Sequence, residues 1–582
     1  GDSDTAIVLN ANTTITANTS GDITLGGTVN GLRSLTLNSV GTTTLSETVG
    51  ATNALTSLIT NASGTTVING GSVRTSGIQT YGDAVTLGAA TTLTTAATAA
   101  GDTIVFSSTV NSDGATRRDL TITTGGNTPT VRFNGVVGGI YPVGAIAITG
   151  TLDLDAIIQK TSGSSAGATS LTVSGVSNLG ADVNTTGGIQ TYTGAVTVSG
   201  TGPRTLTGST VTNTSTLNGG AIALVITGNS SIGDAITNAT SFSVSGTTSL
   251  GASVTTTGDQ TYTGAVTLTA SPTLTSPSGT ILFSSTVNGA RTLTITNSLS
   301  TGDVTFGNAV GGTTALTGLT ITTDVLTAAA IRSTGTLSVT NSGTSSITGI
   351  ISEDGSALAV TKAGAGTLTL SGANSYTGLT TISAGALTAA NNTALGSTVT
   401  GTTVASGAAL QLSGGITIGA EALTLDNTGG GTGALRNILG TNSYAGAITL
   451  SSNAVRINSD SGTTLTLSGG ITNAGIALTI GGVGNTTMST AAIAGTGTLT
   501  KDGSGTLTFN FANTYTGLTT VSAGSLTYGN SNVISSGDVT VNGSTAVLAL
   551  GIYTDTVGAV TLTAGSITGT GSSTQGVLTS TS

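Results

Sequence analysis

Residues 364–388 read GAGTLTLSGANSYTGLTTISAGALT, and residues 503–527 read GSGTLTFNFANTYTGLTTVSAGSLT. A unit this short cannot bury its own apolar face, so it has to stack on neighbours built like itself. Thr367-Leu368-Thr369-Leu370 alternates polar and apolar, the period of a strand with one buried face. Ser371-Gly372-Ala373-Asn374 is turn chemistry, and Tyr376-Thr377-Gly378 turns again. Leu379-Thr380-Thr381-Ile382 is a second short strand, Ser383-Ala384-Gly385 breaks it, and Ala386-Leu387-Thr388 opens a third. Three short strands with tight corners in about 20–25 residues predict one coil of a parallel β-helix.

Further copies run through the chain. Tyr376 and Tyr515 correspond, as do Lys362 and Lys501, since 515 − 376 and 501 − 362 are both 139. Thr441-Asn442-Ser443-Tyr444-Ala445-Gly446 is a looser copy between them, and Gln79-Thr80-Tyr81, Gln190-Thr191-Tyr192 and Gln260-Thr261-Tyr262 precede them. The shared signature is Asn or Gln, Ser or Thr, then Tyr, and it takes in six of the 9 tyrosines, too many for coincidence. A longer repeat marks the first half. Thr28-Val29-Asn30 and Thr286-Val287-Asn288 open matching segments, and a third copy opens at Thr109-Val110-Asn111 and resumes at Arg118-Asp119-Leu120. Its extra residues, 112–117, read as a loop projecting from one corner.

In its 364–388 and 503–527 units the chain resembles the autotransporter-associated β-strand repeat of bacterial surface and secreted proteins. The two clear units and the degenerate one lie within residues 360–530; the earlier half is similar in style to large haemagglutinin-like adhesins. The resemblance implies a right-handed parallel β-helix, exported and placed at the cell surface or in the medium as a stalk or adhesin. No C-terminal translocator barrel of the autotransporter type is visible. The chain opens on Gly1-Asp2-Ser3-Asp4 and its one Met is Met488, so a processed or excerpted polypeptide is expected.

The expected fold class is therefore all-β, a β-solenoid forming one elongated rod with short corner loops. A change of repeat style divides residues 1–350, with long irregular repeats, from 351–582, with autotransporter-associated-type repeats. Coils about 4.8 Å apart and about 20 residues long imply roughly 25–30 coils and a rod on the order of 120–140 Å. Leu368, Leu370, Ile382, Leu507 and Val521 are expected inside, and aligned Asn or Gln are expected to form amide ladders.

Composition removes several functions. Charged residues make up 6% and the 13 basic ones are scattered, which argues against a nucleic-acid partner. The apolar residues are interleaved with Thr, Ser and Gly, so no transmembrane segment is expected. With no Cys and no His, thiolate and imidazole chemistry is absent, and Glu occurs only at Glu47, Glu353 and Glu421. Parallel β-helices do host polysaccharide-degrading enzymes, but charges this sparse do not gather into a catalytic face, so no enzyme and no catalytic, cofactor-binding or metal residues are predicted.

The remaining candidates each have two readings. Arg117-Arg118-Asp119 is a ligand-binding corner or, the preferred reading, a solvated insertion loop. Glu353-Asp354-Gly355 is a Ca²⁺ contact or an acidic turn, the turn being preferred because a site needs 6–8 oxygens. Asn12-Thr13-Thr14 and Asn61-Ala62-Ser63 match the glycosylation sequon. The recurring tyrosines are a sugar-stacking ladder or, preferably, corner packing with the hydroxyl on a backbone partner. Thr292-Leu293-Thr294-Ile295-Thr296 raises ice binding, which needs Thr aligned coil after coil; the irregular sequence intervals speak against that. The predicted function is an extracellular structural and adhesive solenoid: a stalk, adhesin rod or self-assembling filament subunit. A surface-layer-type coat protein is the alternative. Partners would be other copies, end to end or side by side, and a glycan or protein receptor.

Overall fold

The computed structural model describes residues 5–19, 21–114, 116–161, 165–570 and 574–581. Gly1-Asp2-Ser3-Asp4, on which the chain opens, lie outside the described residues. The contacts divide the chain into two compact units, Gly1–Ser285 and Thr286–Ser582. Each unit is a β-solenoid of parallel strands, and the one helical element among the described residues is a 3-10 turn at Gly429–Gly431. Among the described residues no helix is long and apolar enough to cross a membrane.

In the first unit, Thr13–Thr16, Ser34–Asn38, Ser57–Thr60, Gln79–Tyr81, Gly101–Phe106 and Pro129–Phe133 follow one another as parallel neighbours in one sheet. A second sheet runs through Ile23–Leu25, Thr42–Leu45, Thr65–Ile68, Ala84–Leu87 and Val110–Ser112. A third begins with Ser72–Thr75, Thr91–Thr95 and Leu120–Thr123. Strands consecutive in sequence fall on different faces, and each pairs with its counterpart one coil on. A chain that winds in one sense can only pair parallel.

Alternation decides what lies inside. In Ser34–Asn38 the pattern puts Leu35 and Leu37 in the core, and register sets Leu35 against Leu58. Tyr81, Phe106 and Phe133 are likewise in register, and their rings stack at 5.1 and 4.8 Å, the spacing of the strands that carry them.

In the second unit Leu368, Leu370, Ile382, Leu507 and Val521 are all fully buried, as the alternation predicts. The division of the coil differs from expectation. Thr367–Leu370 pairs directly with Ala386–Ala389, Leu368 against Leu387, so the third strand already belongs to the next coil. This coil closes after 387 − 368 = 19 residues. Residues 371–379 cross the remaining face without forming a strand. Nothing in the local pattern distinguishes a third face from a return to the first.

Candidate functional site

The signature tyrosines are all core residues: Tyr81, Tyr192, Tyr262, Tyr376, Tyr444 and Tyr515 are each 0% exposed. They are not a sugar-stacking ladder. Burial pushes their phenols well above the ordinary range. Five of the six hydroxyls meet side chains, not the backbone partner expected. In the first unit Gln and Tyr two residues apart on a strand face the same way, and the Tyr hydroxyl donates to the Gln Oε1 at 3.0, 2.9 and 3.1 Å for the 79/81, 190/192 and 260/262 pairs. The Gln Nε2 then donates to one carbonyl of its own coil and one of the next. Gln190 reaches Val183 O at 3.1 Å and Thr207 O at 2.8 Å; Gln260 reaches Val254 O at 3.1 Å and Thr275 O at 2.9 Å. Gln79 joins no amide ladder, because its register neighbours are Leu58 and Ile104; an amide-to-amide bond between successive coils is made instead by Asn238 Nδ2, which donates to Asn218 Oδ1 at 3.0 Å.

The second unit uses Asn instead. Asn374 Oδ1 accepts from Ile351 N at 2.8 Å and its Nδ2 donates to Ala394 O at 2.6 Å, tying three successive coils together. Asn513 repeats this with Ile493 N and Val533 O, both at 2.7 Å. The amide thus stands in for ladder bonds that the strandless 371–379 crossing lacks. The Tyr hydroxyls turn to a Thr four residues on, Tyr376 to Thr380 at 2.8 Å and Tyr515 to Thr519 at 2.6 Å. The sequence reading passed over these threonines, although Val85, Val196 and Val266 hold the same place in the Gln units.

Lys362 and Lys501 are 0% and 2% exposed and sit in aliphatic columns, Lys362 between Val339 and Ile382 and Lys501 between Ile480 and Val521. Each ammonium spends its three donors on corner carbonyls: Ala363, Gly364 and Ala384 for Lys362, at 2.7, 2.8 and 3.2 Å, and Asp502, Gly503 and Ala523 for Lys501, at 2.7, 2.8 and 3.0 Å. Burial pulls both amines down to about 8. The shared offset of these lysines was visible in sequence; their role as corner caps was not.

The degenerate unit is where this scheme fails. Ile448 replaces the Thr, and Tyr444 OH has no partner among the described residues. Nearby, Glu421 is 2% exposed; Thr402 donates to its Oε1 at 3.0 Å while its Oε2 is also unpartnered. Burial pushes this carboxyl up to about 7.

The surface candidates resolve as follows. Arg118 forms a two-pronged pair with Asp113 at 3.1 and 3.0 Å, and Asp119 accepts from Ala145 N at 2.8 Å. Glu353 accepts from Leu358 N at 3.0 Å and Thr377 N at 2.9 Å, and Asp354 pairs with Arg332 at 2.7 Å. This acidic turn is thus committed to protein donors. Asn12 and Asn61 both use their side-chain oxygens on backbone N–H groups, of Ser34 and Ser39. Cross-coil ion pairs consume much of the remaining charge: Arg204 with Asp182, Arg436 with Asp460 and Arg456 with Asp502.

One surface expectation is overturned. Thr294, Thr320, Ser338, Thr361, Thr381, Thr403, Thr424, Thr449 and Thr472 align coil after coil in one outward row. Coil lengths vary, so irregular sequence intervals still bring them into register. The neighbouring row, Thr296, Thr322 and Thr340, ends at Ala363, so a two-row face lasts only three coils.

At these positions buried amides and ammonium groups tie neighbouring coils together. Residues 360–389 and 499–527 match the passenger-associated-transport-repeat, and both matches contain the Asn, the Tyr, the Thr and the capping Lys just described. No curated protein and no solved structure matches the chain. The chain is a β-solenoid bearing two passenger-associated-transport-repeats, and in that it is similar to the repeat-containing passengers of autotransporters.

Proposed function

We propose that the chain is an exported, non-enzymatic passenger that stands at the bacterial surface as a stalk and carries adhesive surface away from the cell. The observation that carries this reading is the pair of passenger-associated-transport-repeats seated in coils clamped to both neighbours. A rod loaded along its length needs coil-to-coil bonds that water cannot compete for, and these are buried. Self-association of copies, end to end or side by side, belongs to the same proposal, since strand edges can pair with another copy of the chain. The test is display. Fused to an outer-membrane translocator barrel, the chain should become accessible to protease on intact cells and make them adhere to a surface. Retention inside the cell would overturn the passenger reading. A regular two-dimensional lattice on cell envelopes would favour a coat protein instead. Deleting residues 1–20 tests self-association: sedimentation of the intact chain as strict monomer would end that part of the proposal.

A further inference from the structure

Three corners of the chain share one construction, and one of them differs in a way that points to a ligand. At Asn30 and Asn288 the Asn Oδ1 caps two backbone N–H groups of the following coil: Thr52 and Asn53 at 2.9 and 3.2 Å, and Thr313 and Thr314 at 2.9 and 3.4 Å. Each capped pair follows a glycine with positive φ, Gly50 at 73° and Gly311 at 73°. The third corner has the same parts, Asn111 and Gly138 at 69°, and Asn111 Oδ1 caps Ile140 N at 2.9 Å and Tyr141 N at 3.3 Å. Where the other corners carry small polar residues, this one carries an isoleucine 64% exposed and a tyrosine 46% exposed. Tyr141 lies outside the Asn/Gln signature of the six buried tyrosines.

The loop that holds this ring is fixed. Ser112 N donates to Tyr141 O at 3.1 Å, Ser112 Oγ donates to Pro142 O at 3.0 Å, and Arg118 N donates to Ser112 Oγ at 2.9 Å. The backbone bond to Tyr141 O is common to the three corners, with Gly31 N to Asn53 O and Gly289 N to Thr314 O both at 3.2 Å; the two Ser112 hydroxyl bonds are added at this corner alone, and they set Arg118, which pairs with Asp113, beside the ring's loop. Between them runs a groove of ≈ 310 Å³, lined by Tyr141, Asp113, Asn111, Thr65, Thr86 and Thr109 among others.

We propose that this groove binds a neutral saccharide. The reading rests on the adhesive function above and supplies its ligand. An exposed aromatic face suits the apolar C–H face of a sugar ring. Asp113 is the one charged side chain in the lining, and Arg118 neutralises it, so the groove has no net charge to attract an ion. The carboxylate keeps lone pairs for sugar hydroxyls, Asn111 keeps its Nδ2 because its oxygen serves the loop, and Thr65, Thr86 and Thr109 add hydroxyls that donate or accept. The volume fits one or two sugar rings and not a folded partner.

The experiment is to apply the purified chain to an array of neutral oligosaccharides of galactose, glucose and N-acetylglucosamine units, and to follow any hit by titration. Tyr141→Ala should weaken a hit at least tenfold, Tyr141→Phe should leave it nearly intact, and Thr86→Gln, which fills the groove, should abolish it. All three should melt with the parent, since these side chains face solvent. The idea is overturned if the parent binds no neutral glycan, or if Tyr141→Ala and Thr86→Gln bind as the parent does. The display assay separates the two readings: Tyr141→Ala displayed normally but not binding supports both, whereas failure of the parent to reach the surface sinks the passenger reading and leaves the array result standing.

Discussion

Gln190 and Asn374 differ by one methylene, and that length decides how the tyrosine two residues further on is held. In the first unit the longer amide reaches its own tyrosine with oxygen and, with nitrogen, one carbonyl of its own strand and one of the next coil, so ring and backbone are served by one residue. In the second unit the shorter amide serves only the backbone of the coils on either side, and the tyrosine takes a threonine hydroxyl four residues on. A buried phenol has to be satisfied once, by whichever polar group the local path brings near. Tyr444, with Asn442 before it and Ile448 after it, has neither solution and is left orphaned.

The comparison breaks most visibly if the ring is removed. Tyr192→Ala and Tyr376→Ala should each cost roughly 3–5 kcal/mol, felt mainly in their own and adjoining coils. Hydrogen exchange resolved along the chain would show this; a loss below about 1 kcal/mol at either position would mean the ring is not a core element there. Exchanging clamp types is sharper. Gln190→Asn should cost about 1–3 kcal/mol by orphaning Tyr192 OH, and adding Val196→Thr should restore part of it. An equal cost of Gln190→Asn in a Tyr192→Phe background would show that the two side chains are not coupled.

Proton linkage separates the units in another way. Glu421 titrates at about 7 in the fold, above its ordinary value, so its contribution is full at low pH and is lost as pH rises through 7. Lys362 and Lys501 titrate at about 8, below their ordinary value, so their contribution is present at high pH and is lost as pH falls through 8. Melting of the second unit should therefore be weakest between pH 7 and 8. Glu421→Gln should flatten the acidic limb and stabilise by about 1–3 kcal/mol at pH 8. A melting profile that Glu421→Gln leaves unchanged would place that carboxyl in contact with water. The smallest expected effect is Ile448→Thr, which offers Tyr444 the missing acceptor and should add about 0.5–1.5 kcal/mol in a chemical denaturation series. Destabilisation by this change would show that the lost methyl contacts outweigh the hydroxyl.

The inward positions were legible in sequence because alternation carries them: Leu368, Leu370 and Ile382 follow from period two alone. The burial of the signature tyrosines was legible from recurrence. The partner of each hydroxyl was not, because residues at −2 and +4 approach the ring only once the path around the corner is known. Coil division at Ala386 failed for a related reason, since local pattern marks strands and corners but not which strand lies over which. The threonine row was hidden by unequal coil lengths. Tyr141 had no recurrence to mark it, and it stands out only beside the equivalent corners at Asn53 and Thr314.

Where the chain turns, glycine lies over glycine. A Cβ on Gly194 would fall 2.2 Å from Gly175 O, one on Gly264 2.3 Å from Gly246 O, and one on Gly517 2.2 Å from Gly497 O. No side chain fits at that distance, so each of these positions is fixed by the residue one coil below. For the gene this sets a rule of inheritance. A duplicated or deleted segment survives when it spans a whole coil, because it carries its own glycine to the right height. A shift of one residue puts a side chain over a carbonyl and turns the leucines outward. Lineages of such genes should therefore gain and lose length in coil-sized steps, with single-codon changes confined to exposed corners such as Thr116-Arg117.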